Sequence, residues 1–340
     1  MPLIDNLVNR KLVLYRYYPV SVTSIVRIMS ILILCCSLIS FSPFSYSAPH
    51  NTPDKKQNIL IIHQANNRVS QELVTQLKNN KKLANYNIHH ALWSAEATKL
   101  ETINRQQLII AIGSKTTKSL LDANISAPIL SILMPEHLAK SFQKLYKTKS
   151  NWSSLVIDQP LERKFHLITA IMGKNKKTGV LLGSYTKDLE KPLKRAAKKT
   201  RQSITIEHIN EPEEIPRSLN TLNNTVNILL TLPDPVIYNK NTIRGILLST
   251  YREKLPIIGF SKAYVKAGAI AAVYSKPEQI SKQTAVITNN FLKNNFFNQN
   301  IYQPNEFSVA LNNKLAKSLG INIKSEAEIL KQIKQAERRR

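Results

Sequence analysis

Residues 227–280 read NILLTLPDPVIYNKNTIRGILLSTYREKLPIIGFSKAYVKAGAIAAVYSKPEQI, and the order of apolar and polar segments in them indicates a fold class. It contains three short apolar runs, at 228–232, 256–260 and 269–274, and the segment between the first two has apolar residues at helical spacing. Short buried strands that alternate with helices are typical of a parallel sheet covered by helices on both faces. The stretch therefore predicts an α/β fold.

The same alternation of strands and helices continues toward the start of the chain. One series of predicted strands spans 58–133, and a second series of similar size spans 178–232. Two consecutive series predict two lobes with a cleft between them, each lobe a parallel sheet flanked by helices. Asp158, Gln159 and Pro160 lie between the two series and are the predicted hinge.

The first 48 residues have the features of a signal peptide. Basic residues precede an apolar run at 28–41, and residues 45–48 (SYSA) supply small side chains at the spacing that a signal peptidase needs. The apolar run is too short for a convincing membrane span, although an uncleaved anchor is the alternative. Cys35 and Cys36 both lie in this segment, and neither follows the small residue that lipid attachment prefers. We therefore expect an exported periplasmic protein that has no lipid anchor and no disulfide.

The chain is strongly basic, with 48 Lys and Arg against 22 Asp and Glu and a net charge of +26. Such a charge raises the possibility of a nucleic-acid partner. The lysines are scattered over predicted helix faces without interleaved aromatic residues, and export also argues against nucleic acid. A solvated surface, or attraction to anionic lipid headgroups, is the preferred interpretation. The basic tail that ends at residue 340 is expected to be a frayed helix.

Residues 259–263 (GFSKA) differ by one residue from the G-x-S-x-G nucleophile elbow, so a serine hydrolase is one alternative. The hydrolase order places a histidine after the serine, but the last histidine of this chain is His208. Ser261 is therefore expected to cap the following helix instead. Neither a metal site nor a cofactor is expected, because the adjacent His89 and His90 would point to opposite faces of a strand and no phosphate-binding glycine motif occurs.

The predicted ligand site lies where loops leave the carboxyl ends of the strands, which is where α/β sheets bind ligands. Gly113 to Thr116 (GSKT) connects an apolar strand to a helix, so free N–H groups there could hold an anion, with a plain helix cap as the alternative. The other candidate loops combine aromatic rings with hydrogen-bonding groups. The predicted ligand-binding residues are Ser114, Thr116, Ser184, Tyr185, Asp234, Phe260, Ser261 and Tyr264.

The run LPDPVIYN…TIRGILLSTYREKLPIIGFSKAYVKAGAIAAVYSKPEQI resembles the substrate-binding proteins of ABC transporters, in the group that includes tryptophan- and tyrosine-binding members. The resemblance covers roughly 58–335 and is strongest over 155–320. It implies that a helix starting at 277 packs back on the first lobe. The first lobe would then comprise 49–157 and about 277–300, and the second 158–276 and about 301–335.

The resemblance also implies a function. A periplasmic solute-binding protein of this family closes over a small polar or aromatic amino-acid-like ligand and docks on a membrane permease, without making or breaking a bond. We expect a monomer with no nucleic-acid partner. The family's Gly-Thr-Pro-Ala loop is replaced by Gly113–Thr116 here, a departure that leaves the ligand open. A periplasmic sensor that presents ligand to a membrane receptor is the alternative, and a serine hydrolase is a distant third.

Overall fold

The computed structural model describes residues 56–64, 67–94, 100–148 and 151–338. The predicted signal peptide, residues 1–48, lies outside these residues. The strands are β1 Asn58–His63, β2 Asn87–Leu92, β3 Leu108–Ile112, β4 Ile129–Met134, β5 Trp152–Val156, β6 Lys177–Leu182, β7 Ser203–His208, β8 Ile228–Leu230, β9 Ile257–Gly259, β10 Ala271–Tyr274, β11 Ile301–Tyr302 and β12 Ser308–Leu311. The α-helices are α1 Arg68–Lys78, α2 Leu100–Asn104, α3 Ser114–Asp122, α4 Glu136–Leu145, α5 Leu161–Met172, α6 Glu190–Lys199, α7 Ile215–Asn223, α8 Ile243–Arg252, α9 Lys262–Ala267, α10 Pro277–Asn294, α11 Asn313–Ser318 and α12 Glu326–Arg338.

The described strands form two six-stranded sheets, one in each lobe, as the alternating pattern predicts. The first sheet has the order β11-β5-β4-β3-β1-β2, and all of its pairs are parallel. The second has the order β12-β10-β9-β8-β6-β7, and only its edge strand β12 is antiparallel among the described pairs. The strand order reverses between β1 and β3 in the first sheet and between β6 and β8 in the second.

Both faces of each sheet are buried, which explains why the central strands are continuous apolar runs rather than alternating ones. In β1, Ile59 and Ile61 enter one apolar cluster while Leu60 and Ile62 enter another on the opposite face. The second lobe likewise has a separate apolar cluster on each side of its sheet. Burying each such side chain contributes about 1.5–3 kcal/mol, so these runs are the main source of stability in both lobes.

The chain passes between the two sheets three times, and all crossings lie within one compact unit, Lys56–Arg340. The first crossing, between β5 and α5, contains the predicted hinge residues. The second joins β10 to α10, and α10 packs against α1 of the first lobe, as the resemblance implied. The third follows β11. Because β11 pairs with β5, the chain rejoins the second sheet only at Ser308, a few residues later than the predicted boundary near 301.

Side chains connect the three crossings to one another. The Gln159 Nε2 amide donates to Ser275 Oγ at 2.9 Å, and Ser275 Oγ donates to the carbonyl oxygen of Glu306. Arg163 Nη1 donates both to Gln159 Oε1 and to the carbonyl oxygen of Pro304, each at 2.8 Å. The crossings therefore share one hydrogen-bond network whose members come from distant parts of the sequence.

The C-terminal helix α12 differs from the expected frayed tail. Ile329 and Ile333 are 0% and 1% exposed and join the apolar cluster of the second lobe. Helix α12 packs on α5, and Glu337 pairs with Arg163 at 2.6 Å. Two isoleucines four residues apart lie on one helix face, and this face completes the core. Within the described residues, no helix is both long and apolar enough to cross a membrane.

Candidate functional site

A cavity of about 760 Å³ lies between the two lobes, beside the first crossing. Its inner wall is formed where strands end: Glu136 and His137 follow β4, Asp158 follows β5, and Leu232 follows β8. Residues 184–186, after β6, complete this wall. Helices α4 of the first lobe and α6 of the second extend it outward. The volume lies within the roughly 300–1,000 Å³ that is typical of small-molecule sites.

An acid and a base form the part of the cavity nearest the hinge. Asp158 Oδ2 accepts the backbone N–H of Glu136 at 2.7 Å, so this carboxylate supports the first turn of α4. Burial raises the pKa of the Asp158 carboxyl, and the charge of Lys164 opposes that rise. Lys164, in the second turn of α5, is only 4% exposed, and burial lowers the pKa of its ammonium against the attraction of Asp158 and Glu136.

Two rings contact each other across the cavity and so connect the lobes. His137, in the first turn of α4, meets Tyr185 edge to face, with ring centroids 5.3 Å apart. Tyr185 is still 47% exposed, so much of its ring remains available to a ligand. Burial lowers the pKa of His137, which favours the neutral imidazole.

The outer rim of the cavity carries charges that are partly paired. Lys140 pairs with Glu136 at 2.6 Å, and Lys199 pairs with Glu162 at 3.3 Å. Both lysines are exposed, so these ion pairs contribute little to stability. Further cations on the rim are Lys144, Lys147 and Arg195.

Two of the eight predicted ligand residues, Ser184 and Tyr185, line the cavity. Asp234 does not, because its side chain is 1% exposed and points into the second lobe. Its carboxylate accepts three hydrogen bonds, from Thr186 Oγ1 at 2.8 Å, the N–H of Val236 at 3.0 Å and the N–H of Tyr185 at 3.2 Å. Asp234 therefore holds the loop that presents Ser184 and Tyr185.

Gly183 makes this arrangement possible. A Cβ atom at position 183 would lie 2.7 Å from Asp234 Oδ1, closer than real contacts allow. The backbone after β6 can thus approach the carboxylate only because the residue there is glycine.

Phe260, Ser261 and Tyr264 do not line the cavity within the described residues, and two of them belong to an aromatic cluster instead. The rings of Phe260 and Tyr264 lie 4.2 Å apart, and Tyr238 contacts both at 6.2 Å. The Ser261 hydroxyl accepts the N–H of Tyr264 at 3.3 Å, which confirms the interpretation of Ser261 as a helix cap. Burial raises the pKa values of Tyr238 and Tyr264, so both phenols stay protonated.

Ser114 and Thr116 lie at the strand-order reversal of the first sheet but are also outside the cavity wall. Gly113 joins β3 to α3 with φ of 88°, a conformation that favours glycine, and Ser114 is the first residue of α3. Thr116 is 1% exposed, and its Oγ1 accepts the backbone N–H of Gln64 at 3.0 Å. The Thr116 hydroxyl is thus engaged within the first lobe.

The sequence interpretation missed His137 and Lys164 as cavity residues. His137 could have been found, because it follows β4 and the carboxyl-end argument applies to every strand of a parallel sheet. Lys164 could not, since nothing local shows which way a lysine within LERKFHLITAIM faces. Among the described residues, no three His, Cys, Asp or Glu side chains are grouped so that they could hold a metal ion.

The chain is similar to a known family and to several solved structures. Residues 56–336 match the model of a family described as ABC transporter substrate binding protein. One similar solved structure is an ABC domain in complex with L-Trp from Streptococcus pneumonia, at 17% identity and a TM-score of 0.53, covering 82% of this chain and 98% of that one. No curated protein matches the chain.

Two further structures share the fold. The ligand-free, open form of a substrate-binding protein with adhesive properties from Clostridium difficile has 17% identity and a TM-score of 0.60, with 79% of this chain and 96% of that one covered. A conserved domain protein from Vibrio cholerae has 18% identity and a TM-score of 0.55, with coverage of 82% and 98%. At these identities the likeness establishes the fold alone. The predicted two-lobed architecture is thereby confirmed.

Proposed function

The chain belongs to the family of ABC transporter substrate-binding proteins, and from that premise we propose that it is the periplasmic solute-binding subunit of an ABC-type importer. The family implies a small-molecule ligand and a permease as partner. The observation that carries the proposal is the cavity of about 760 Å³ between two lobes that three chain crossings join. Export by the signal peptide, without lipidation, would deliver the protein to the periplasm as a free monomer.

The proposed mechanism is closure of the lobes around the ligand. The crossings are short and near one another, so small changes in their backbone angles can swing one lobe toward the other. Tyr185 and His137 face each other across the opening, so a ligand that seats against Tyr185 contacts both lobes at once. The closed form then docks on the permease, and no covalent bond is made or broken.

The proposed ligand is a small polar or aromatic amino-acid-like molecule. Tyr185 offers a half-exposed ring for an apolar or aromatic part, and Ser184 and Asp158 offer hydrogen-bonding groups beside it. Ser114, Thr116, Phe260, Ser261 and Tyr264 stay predictions, since they follow strand ends on the same edges of the sheets but lie outside the cavity. We assign Asp234 to positioning the Ser184–Thr186 loop.

A thermal-shift screen with the common L-amino acids tests this function. A ligand that binds only the folded protein increases the free energy of unfolding by mass action, by about 2.7 kcal/mol when its concentration is a hundredfold above Kd. The melting temperature rises accordingly. Tyr185→Ala should weaken binding of the hit about tenfold or more, because the ring lines the cavity. Tyr251→Ala is the matched control, since Tyr251 is 51% exposed on α8 and outside the cavity. If no amino acid stabilises the wild-type protein at millimolar concentration, the proposed ligand class is wrong.

A further inference from the structure

Two neighbouring cations at the start of α5, Arg163 and Lys164, are both buried but differ in whether the protein supplies hydrogen-bond partners for their charged groups. Arg163 is 5% exposed, and every face of its guanidinium is occupied. Nε donates to Glu337 at 2.6 Å, Nη1 donates to Gln159 and to the Pro304 carbonyl, and the group lies 4.1 Å from the centroid of the Phe307 ring. Arg163 is therefore a structural cation whose hydrogen bonds are satisfied within the protein.

Lys164 is buried to the same degree, at 4% exposure, and lines the cavity. Within the described part of the chain, its ammonium has no hydrogen bond and no ion pair within 4.0 Å. The stem of Lys164 is buried, but the residue lines the cavity, so the ammonium can be reached from the cavity while its buried surroundings disfavour the charge.

The two acids whose charge acts on Lys164 are Asp158 and Glu136, and both are already engaged. Asp158 Oδ2 accepts the N–H of Glu136 at 2.7 Å. Glu136 Oε1 pairs with Lys140 at 2.6 Å, and its Oε2 accepts from Gln303 Nε2 at 3.3 Å. These acids temper the cost of the buried ammonium but leave its three donors open toward the cavity.

We propose that Lys164 is the anion anchor of the cavity, and that its ammonium binds the carboxylate of a small organic acid. The proposal rests on the ligand-binding function proposed above and adds to it the residue that sets the charge of the ligand. A carboxylate fits better than a phosphate, because one ammonium faces the ligand while Asp158 and Glu136 lie near enough to repel a dianion. A ligand carboxylate would supply the charge-assisted hydrogen bonds that Lys164 lacks.

The first test needs no knowledge of the natural ligand. The melting temperature of the wild-type protein is measured with increasing sodium acetate, with sodium chloride at equal ionic strength, and with acetamide. Acetate should stabilise the protein saturably and beyond both references. Lys164→Met and Lys164→Gln should abolish that difference, and Lys191→Met, which removes an exposed lysine from α6 outside the cavity, should retain it. An acetate effect that equals the chloride effect, or that survives in both Lys164 variants, overturns the proposal.

The second test separates this proposal from the proposed function. L-tryptophan, L-tyrosine and 3-phenylpropionate are each compared with their primary amides by calorimetry. We expect the acids to bind, the amides to bind about tenfold to a hundredfold more weakly, and Lys164→Met to reduce acid affinity by a similar factor. Equal affinity for acid and amide would reject the anchor while leaving the binding function intact. If no compound binds, the amino-acid-like ligand class fails, and the acetate result alone decides the role of Lys164.

Discussion

At the scale of single residues, burial assigns different roles to acids that look equivalent in the sequence. Asp234 and Asp158 both follow an apolar strand at a lobe edge. Asp234 is 1% exposed and accepts hydrogen bonds from two donors of the 184–186 loop, the Tyr185 N–H and the Thr186 hydroxyl, and from the N–H of Val236. Asp158 lines the cavity and supports the first turn of α4. The first acid shapes a loop, and the second borders the cavity between the lobes.

Replacing Asp234 tests that distinction through stability. Asp234→Ala leaves a buried hydroxyl of Thr186 and the N–H groups of Tyr185 and Val236 without their acceptor, so the free energy of unfolding should fall by about 1–3 kcal/mol. Urea denaturation of the ligand-free protein measures the change. Glu253→Ala, at an exposed acid after α8, should change it by less than about 0.5 kcal/mol. An Asp234→Ala protein as stable as its parent would argue for a direct ligand role instead.

Lys164 should leave a signature in the pH dependence of stability. Its pKa is lowered in the folded protein by burial, whereas the unfolded chain holds the proton up to its ordinary pKa of 10.5. Between these two pKa values the unfolded state binds more protons, so the free energy of unfolding rises with pH. The loss of stability that comes from burying the charged ammonium is complete at pH values below the lowered pKa, and it disappears at pH values above 10.5.

The measurement compares wild type with Lys164→Met in urea at a series of alkaline pH values without ligand. The free energy of unfolding of the wild type, relative to that of the variant, should increase as pH rises. Only the wild type has a buried ammonium that loses its charge. Other titrating groups cancel in the difference. A difference that stays constant across the window would show that the ammonium is not penalised by burial.

At the scale of elements, α5 is the element on which the second lobe and the hinge both depend. Gln159, just before α5, and Arg163, near its start, join the crossings by hydrogen bonds. Helix α5 also packs against α12. Helix α12 comes from the far end of the chain, and its isoleucines complete the same apolar cluster. The C-terminal helix is therefore part of the second lobe's core.

Shortening one of those isoleucines should be costly. Ile333 is 1% exposed, so Ile333→Ala removes buried methyl groups and leaves a cavity, with an expected loss of about 2–5 kcal/mol. Lys331→Ala, at an exposed position of the same helix, serves as the control and should be nearly neutral. Thermal and urea unfolding both report the difference. A small effect of Ile333→Ala would mean that α12 detaches in solution.

At the scale of the whole molecule, the hydrogen-bond network across the three crossings favours a hinge whose segments move together. Gln159, Ser275 and Glu306 come from the three different crossings and lie in one chain of hydrogen bonds. A rotation about one crossing therefore strains the others unless all of them turn about a common axis. Such coupling suits rigid-body closure of two lobes.

Closure should be visible in solution scattering. Addition of an amino acid identified in the thermal-shift screen should reduce the radius of gyration of the wild-type protein, because the lobes approach each other. Tyr185→Ala, which loses part of the cavity wall, should need about tenfold more ligand than the wild type to reach the same compaction. A radius that does not change when the wild-type protein is saturated would contradict the closure mechanism.

The architecture of two α/β lobes could be read from the sequence because it depends on local patterns. Continuous apolar runs such as 108–112 specify strands buried on both faces, and their alternation with helices specifies parallel sheets. The edges at which ligand loops emerge follow from the same rule, which is why Ser184 and Tyr185 were predicted and line the cavity.

The directions of individual polar side chains depend on packing between distant segments of the chain. Asp234 turns inward because the backbone at Gly183 can approach it closely, and this proximity joins segments about fifty residues apart. Arg163 and Lys164 are adjacent in sequence, yet one meets Glu337 and the other meets the cavity. The direction of each of these side chains depends on contacts between distant segments, and no local sequence pattern specifies those contacts. Local sequence patterns therefore specify the layers and the edge at which the cavity opens, and packing between distant segments specifies which charges face that cavity.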